Sequence, residues 1–198
     1  MSPIADPRST PEEYLVRERK AQYRSEFVDG RAYAMAGASR AHNLVAGNVF
    51  AELRAQLRGK PCEAYVSDMR VKVSRTGLYT YPDVVAVCGE PRFEDAHVDT
   101  LLNPILVVEV LSGSTEGYDR GEKFSHYRRL ESLREYVLVT QDRVRVEHFA
   151  RHGEHWMLTE ISDPEGVLAL PSLDCALALR AVYERVELPA GADLPLRA

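Results

Sequence analysis

The sequence predicts an α+β fold: a mixed central β-sheet flanked by helices, with additional antiparallel strands. Three observations point there. Helical periodicity is concentrated in the first sixty residues and returns in two later segments. Ile105-Leu-Val-Val-Glu-Val-Leu111 is uniformly apolar except for one carboxylate, as in a strand covered on both faces. From Glu135 onward, short strand-like runs alternate with turn signals.

Thr10-Pro-Glu-Glu13 opens the first helix, with Thr10 as cap, Pro11 at the first helical position and Glu13 closing a capping box. It should run to about Lys20. Ser25 to Met35 reads as a hairpin turned at Asp29-Gly30. A second helix is predicted from Ser39 to near Arg58, stopped by Gly59. Leu44, Val45, Val49, Leu53 and Leu57 form its apolar face. Met69, Val71 and Val73 alternate with Arg70 and Lys72 in a half-buried strand, Thr76-Gly77 turns, and Tyr79 to Val87 is one further strand with Pro82 near its start. Gly89 to Asn103 reads as loop, then Ile105 to Leu111 as the central strand. Asp119 is placed as the cap of a helix carrying Phe124, Tyr127 and Leu130, with Glu122 three residues on. Strands at Glu135–Thr140, Val144–Ala150 and Trp156–Ile161 make a meander, followed by a turn at 163–166. Leu168 to Leu177 is extended, and Leu179 to Val186 is a last helix. The expected organisation is a tail over 1–9, a single domain over 10–186 and a tail over 187–198.

The 198 residues suffice for one sizeable core. A hydrophobic content of 45% with 28% charged residues is that of an ordinary globular chain, and no apolar run reaches membrane-spanning length. The first residues lack signal-peptide character, so a cytoplasmic location is expected. Cys62, Cys88 and Cys175 are far apart and odd in number, and the expectation is free thiols rather than a disulfide framework or zinc site. A net charge of −5 argues against a generally basic, nucleic-acid-coating surface but not against a local basic cleft.

Asp83 and Glu109 hold the chemistry. Each enters an apolar run, where a carboxylate is costly unless a cation meets it. For Glu109 alone, an ion pair with an arginine of a neighbouring element is the competing reading. Two such acids in one sheet repel unless a cation lies between them, and oxygen donors suit Mg2+ or Mn2+. Lys123 follows at a helix start, either facing that site to orient a water or exposed as an ordinary surface lysine.

Pro82-Asp83 followed by Glu109-Val-Leu111 resembles the PD-(D/E)-x-K nuclease superfamily. More closely, four stretches are similar to the Uma family of inferred bacterial restriction endonucleases: Pro104-Ile-Leu-Val-Val-Glu-Val-Leu-Ser112 with Ser114-Thr115, Tyr118-Asp-Arg-Gly-Glu-Lys-Phe124, Tyr127-Arg128, and Leu133-Arg-Glu-Tyr-Val-Leu-Val139. Ser25-Glu-Phe-Val-Asp-Gly30 and the helix bearing His42 match as well, so the resemblance covers roughly residues 10–185. It implies a restriction endonuclease-like fold and Mg2+- or Mn2+-dependent endonuclease activity on DNA. Asp83, Glu109 and the Val110 backbone carbonyl would hold the metal, with Lys123, Glu26 and His42 in the catalytic cleft. Dimerisation is an expectation borrowed from restriction-type nucleases.

Leu111 stands where the superfamily places lysine, and the family resemblance implies that Lys123, on the next helix, takes that role. The competing readings are a strand-edge charge for Glu26 and a local hydrogen bond for His42. Asp68 is a weaker candidate. His97, His126, His148, His152 and His155 read as surface or structural. Arg120, Lys123, Arg128, Arg129 and Arg134, with Arg70, Lys72 and Arg75, are the candidate phosphate contacts. The alternative function is a catalytically inactive nuclease-fold protein acting as a DNA-binding or assembly module.

Overall fold

The computed structural model describes residues 8–113 and 115–189. Most of each expected tail lies outside them.

Helix α1 (Pro11–Glu18) starts as expected: Thr10 accepts from the Glu13 N–H and Glu13 reaches back to the Thr10 N–H. It lays Tyr14 and Leu15 on Phe27 and Tyr79. The hairpin β1 (Ser25–Val28) and β2 (Arg31–Ala34) turns at Asp29 and Gly30, both at positive φ, the conformation that an Asp-Gly pair supplies cheaply. Helix α2 (Arg40–Gln56) is capped by Ser39, whose hydroxyl accepts from the His42 N–H at 3.0 Å. Such a cap contributes on the order of 1 kcal/mol, and it sets His42 in the first turn. Val45, Ala46, Val49, Leu53 and Leu57 are buried; Leu44 is only half-buried.

Strand β3 (Cys62–Val66) had no sequence forecast, and β4 (Arg70–Val73) follows as expected. The strand expected from Tyr79 to Val87 is two strands in different sheets: β5 (Leu78–Thr80) and β6 (Val84–Cys88). Pro82 lies at the break, where its missing N–H and fixed φ end one ladder before the next begins. The charged loop holds a two-residue strand, β7 (Thr100–Leu101). Then β8 (Leu106–Leu111) is buried at every position.

Asp119 is not a cap. The helical segment begins at α3 (Glu116–Tyr118), passes through a π-helical turn at Asp119–Lys123 and ends as α4 (Phe124–Tyr127). A π turn shifts the phase of a helix, and both Asp119 and Lys123 are buried in consequence. Strands β9 (Glu135–Thr140), β10 (Val146–His152) and β11 (His155–Ile161) form the meander. The stretch expected as uniformly extended is the hairpin β12 (Val167–Leu170) and β13 (Cys175–Ala178), broken by a 3-10 turn at Pro171–Leu173. The last helix, α5 (Leu179–Val182), is shorter than expected.

Two mixed sheets result rather than one. A five-stranded sheet runs β2-β1-β5-β4-β7 and a six-stranded one β11-β10-β9-β8-β6-β3. Each has one parallel pair, β4 with β7 and β8 with β9. Alternation along β6 and β8 splits the core. Val84, Ala86, Val108 and Val110 pack with α2 and the β12–β13 hairpin. Val85, Val87, Val107 and Leu111 pack with Val71, Val73 and Leu78 of the other sheet. Glu109 shares the parity of Val107 and Leu111, so its side chain enters the layer between the sheets.

Cys62 and Cys88 are not free thiols. They face each other across the β3–β6 ladder and are joined by a disulfide, while Cys175 is free and buried. The pairing depends on strand register, which the 26-residue separation conceals. The bond closes a loop containing β4, β5 and Asp83. Denatured without reductant, the chain should titrate one thiol rather than three. Breaking the bridge with Cys62→Ser should lower stability by about 2–4 kcal/mol in urea unfolding. Three reactive thiols in the oxidised, denatured protein would disprove the bridge.

Candidate functional site

Glu109 starts from β8 and its Oε1 lies 2.9 Å from Lys123 Nζ. The same oxygen accepts from the Tyr127 hydroxyl at 2.8 Å. The partner that burial demands is therefore lysine, not arginine. Lys123 Nζ also lies 3.0 Å from Glu26 Oε1 on β1 and 3.5 Å from Asp119 Oδ1. Lys123, Glu26, Glu109 and Asp119 all have side chains at most 6% exposed, which excludes the surface reading of Lys123 and the strand-edge reading of Glu26. Thr80 donates to the same Glu26 oxygen as Lys123, and the Tyr118 hydroxyl reaches the other at 3.2 Å.

The π turn has its own anchor. A π-helical turn disturbs the regular i to i−4 ladder, and the Tyr136 hydroxyl donates to the Asp119 carbonyl at 3.0 Å. Tyr136 in turn stacks on Phe124, centroids 5.1 Å apart. Beside it, Arg120 bonds Glu116 of α3 and Glu147 of β10. Lys123 and Asp119 are thus presented inward by contacts with β9 and β10.

Asp83 precedes β6. The register Val84↔Val108 and Val85↔Val107 carries Asp83 to the position opposite Glu109. Asp83 Oδ2 accepts the Val110 N–H at 2.7 Å and lies 3.2 Å from His42 Nε2. His42 therefore reaches across from α2 to the strand ends. The five expected site residues, Glu26, His42, Asp83, Glu109 and Lys123, occupy one region. Asp83 contributes to it with a side chain 19% exposed, the open side of an otherwise closed cluster.

The electrostatics follow from burial and crowding. Burial holds Glu109 well above the usual carboxylate range; Lys123 opposes this, and the charges of Asp119 and Asp83 add to it. Asp119 is raised chiefly by burial, again opposed by Lys123. For Lys123 burial acts downward, but Glu109 and Glu26 outweigh it and hold the ammonium well above its ordinary value. His42 shows the same contest: burial lowers it, and the hydrogen bond and charge of Asp83 raise it overall.

Three residues join the site without having been singled out as members. Asp119 had been read as a cap and Tyr127 as part of an apolar stripe; Tyr118 appeared only within the family motif. A hydroxyl or carboxylate at the right helical phase was the available signal, but the π turn moves that phase. Asp68 stands apart, largely exposed and paired with Arg24 at 2.8 Å. His148 is buried near Glu135, at 3.7 Å, and is structural. Most of the expected phosphate contacts are engaged elsewhere. Arg70 is buried on Tyr81 and Thr100, Lys72 pairs with Glu94, Arg75 with Glu131 and Arg120 with Glu116. Arg128, Arg129 and Arg134 are exposed. Ser114, part of the family-like motif, lies outside the described residues. A half-open cavity of about 330 Å³ lies at the ends of β8 and β9, lined by Leu111, Ser112, Glu116, Thr140 and Gln141, and none of the five residues lines it.

The site can be set beside known proteins. The profile of the Uma2 family, described as "Putative restriction endonuclease", matches residues 11–181. Two uncharacterized proteins of Synechocystis sp. are similar in sequence. One, sll1609, is 40% identical over 153 residues, covering 77% of this chain and 86% of the relative. The other, slr1290, is 34% identical over 178 residues, covering 89% and 92%. A crystal structure from Anabaena variabilis, titled a "putative nuclease belonging to DUF820", superposes with a TM-score of 0.71. It is 12% identical, and the match covers 88% of this chain and 98% of that one, a likeness of fold. With a profile spanning nearly the whole described chain and a matching fold, this protein belongs to the Uma2 family and has the restriction endonuclease-like fold.

Proposed function

We propose that this protein is a divalent-metal-dependent endonuclease that hydrolyses phosphodiester bonds of DNA. The observation that supports this best is the placement of Asp83 opposite Glu109 in a region where acids outnumber cations. Among the described residues, the cationic or titratable basic groups that Glu26, Asp83, Glu109 and Asp119 meet there are Lys123 and His42. The donors are oxygens, which suits a hard cation. Among the described residues no three His, Cys, Asp or Glu side chains surround one point. Asp83 and Glu109 would therefore supply two carboxylates, with the Val110 carbonyl and water completing the shell. Mg2+ and Mn2+ accept that pattern, since they retain several waters. Such an ion, when bound, neutralises charge on a phosphoryl oxygen and makes a coordinated water more acidic.

The chain's own residues then have separate tasks. The Val110 N–H and His42 fix the Asp83 carboxylate. Tyr127 and Lys123 fix one oxygen of Glu109. The Lys123 ammonium is ion-paired with Glu26, Glu109 and Asp119. The Asp119 contact, at 3.5 Å, is the longest, and it is the donor most readily turned toward an attacking water or a phosphate oxygen. Membership of a family described as restriction endonucleases supports the same reaction class.

One observation favours a second reading, an inactive nuclease-fold module that binds DNA or assembles. Leu111, at the usual lysine position, is buried, and Lys123 is buried against three carboxylates.

In a plasmid-cleavage assay with Mg2+ or Mn2+, Asp83→Asn and Glu109→Gln should each reduce cleavage by roughly 100-fold or more, with unchanged circular dichroism. Full cleavage in both variants would overturn the assignment. Failure of either ion to bind in calorimetry with DNA present would favour the inactive module.

Lys123→Met removes the cation from a buried acidic cluster and should destabilise the fold by about 3–5 kcal/mol in urea titration. The folded-state pKa of Lys123 is raised, so its stabilisation is complete below the ordinary lysine value of 10.5 and lost only as pH rises through the higher folded value. The difference between wild type and Lys123→Met should accordingly persist from neutrality to about pH 10. Its disappearance by about pH 9 would refute the buried pairing.

A further inference from the structure

We propose that the outer edge of β11 is a self-association surface, on which β11 of a second copy of this chain pairs antiparallel. This proposal does not depend on the chemistry assigned to the site.

Strand β11 ends the six-stranded sheet, so its outer row of N–H and C=O groups faces no neighbouring strand among the described residues. Proteins usually guard such an edge with a bulge, a proline, a lysine or a short strand. Here the register runs unbroken from Val146↔Ile161 to His152↔His155, and the seven residues His-Trp-Met-Leu-Thr-Glu-Ile contain neither proline nor lysine. Met157 and Leu158, at its centre, are 54% and 53% exposed. As successive residues of a strand they project from opposite faces, so each face of the edge carries an apolar contact.

The charges near its two ends differ. At the start of β11 stand the cations Arg151 and Arg134, beside His152 and His155; burial first, and then the Arg134 charge, lower the pKa of Arg151. Arg151 donates to the carbonyls of Leu133, Arg128 and Leu130 and lies 4.5 Å over Trp156. Those partners are neutral and leave its charge in place. Glu154 is the one acid in that turn. At the far end stand Glu160, bonded to Arg145 at 2.8 Å, with Asp163 and Glu165 exposed beyond it. A two-fold axis across Leu158 sets the basic end of each copy against the acidic end of the other. Parallel pairing would oppose like charges. This self-complementarity selects a second copy over an unrelated strand.

A seven-residue edge offers less area than the roughly 800 Å² per partner of a standard interface. Association should therefore depend on concentration, and sedimentation equilibrium from low to high micromolar protein reads it directly. The wild type should pass from monomer to dimer. Leu158→Lys should weaken dimerisation by roughly tenfold or more with an unchanged melting temperature. A charge exchange tests the orientation. A variant with Asp163→Lys and Glu165→Lys has two basic ends, and one with His152→Glu and His155→Glu has two acidic ends. Each alone should lose self-association, and an equimolar mixture should regain it as a heterodimer. A wild type that stays monomeric at high micromolar concentration, a dimer indifferent to Leu158→Lys, or a mixture that stays monomeric would each overturn the proposal.

Discussion

The structure depends on one buried ammonium ion. Lys123 joins Glu26 of the five-stranded sheet to Glu109 of the six-stranded sheet, and Asp119 of its own turn completes the set. Desolvating charges is expensive, and the expense is recovered only if every partner is placed well. The surrounding structure meets that condition. Thr80 and Tyr118 donate to Glu26, Tyr127 donates to Glu109, and Tyr136 secures the turn from behind. The hydrophobic layer between the sheets would form around any apolar residues; the ammonium adds a demand for one relative placement of the sheets.

The second constraint lies at Pro82 and Asp83. The chain leaves one sheet at Thr80 and enters the other at Val84. Asp83 therefore sits at the crossing, its carboxylate fixed by the Val110 N–H of the neighbouring strand and its carbonyl by the Ser67 N–H. The Cys62–Cys88 bridge closes the segment that contains this crossing. A carboxylate at such a junction is held from several directions and still keeps an open side.

Much of this was legible in the chain. A single acid in an apolar strand is a strong signal, and Glu109 carried it. The Asp-Gly turn, the capping box at Thr10 and the Ser39 cap are local chemistry and appeared where local chemistry put them. What was hidden depended on other parts of the molecule. The split of residues 79–87 needed knowledge of two sheets. The disulfide needed the β3–β6 register, and β3 itself, with its mixed Cys-Glu-Ala-Tyr-Val composition, gave no clear period. The inward positions of Asp119 and Lys123 were hidden because the pair reads as the cap and first turn of a helix, whereas the helical segment begins earlier, at Glu116, and carries both in its π turn. Arg75 and Arg120, expected to meet phosphate, are spent on intramolecular acids, a matter of pairing that charge counting along a chain does not reveal.

The π turn also bears on how this site could be gained or lost. A helix advances about 100° per residue, so removing one residue between Asp119 and Lys123 would return the segment to α-helical phase and swing its inward set aside. Asp119, Lys123 and all the acids of the site would survive such a deletion, and the ammonium would still miss Glu109. The spacing between strand β8 and this lysine is therefore part of the site's chemistry, as binding as the identity of the residues themselves.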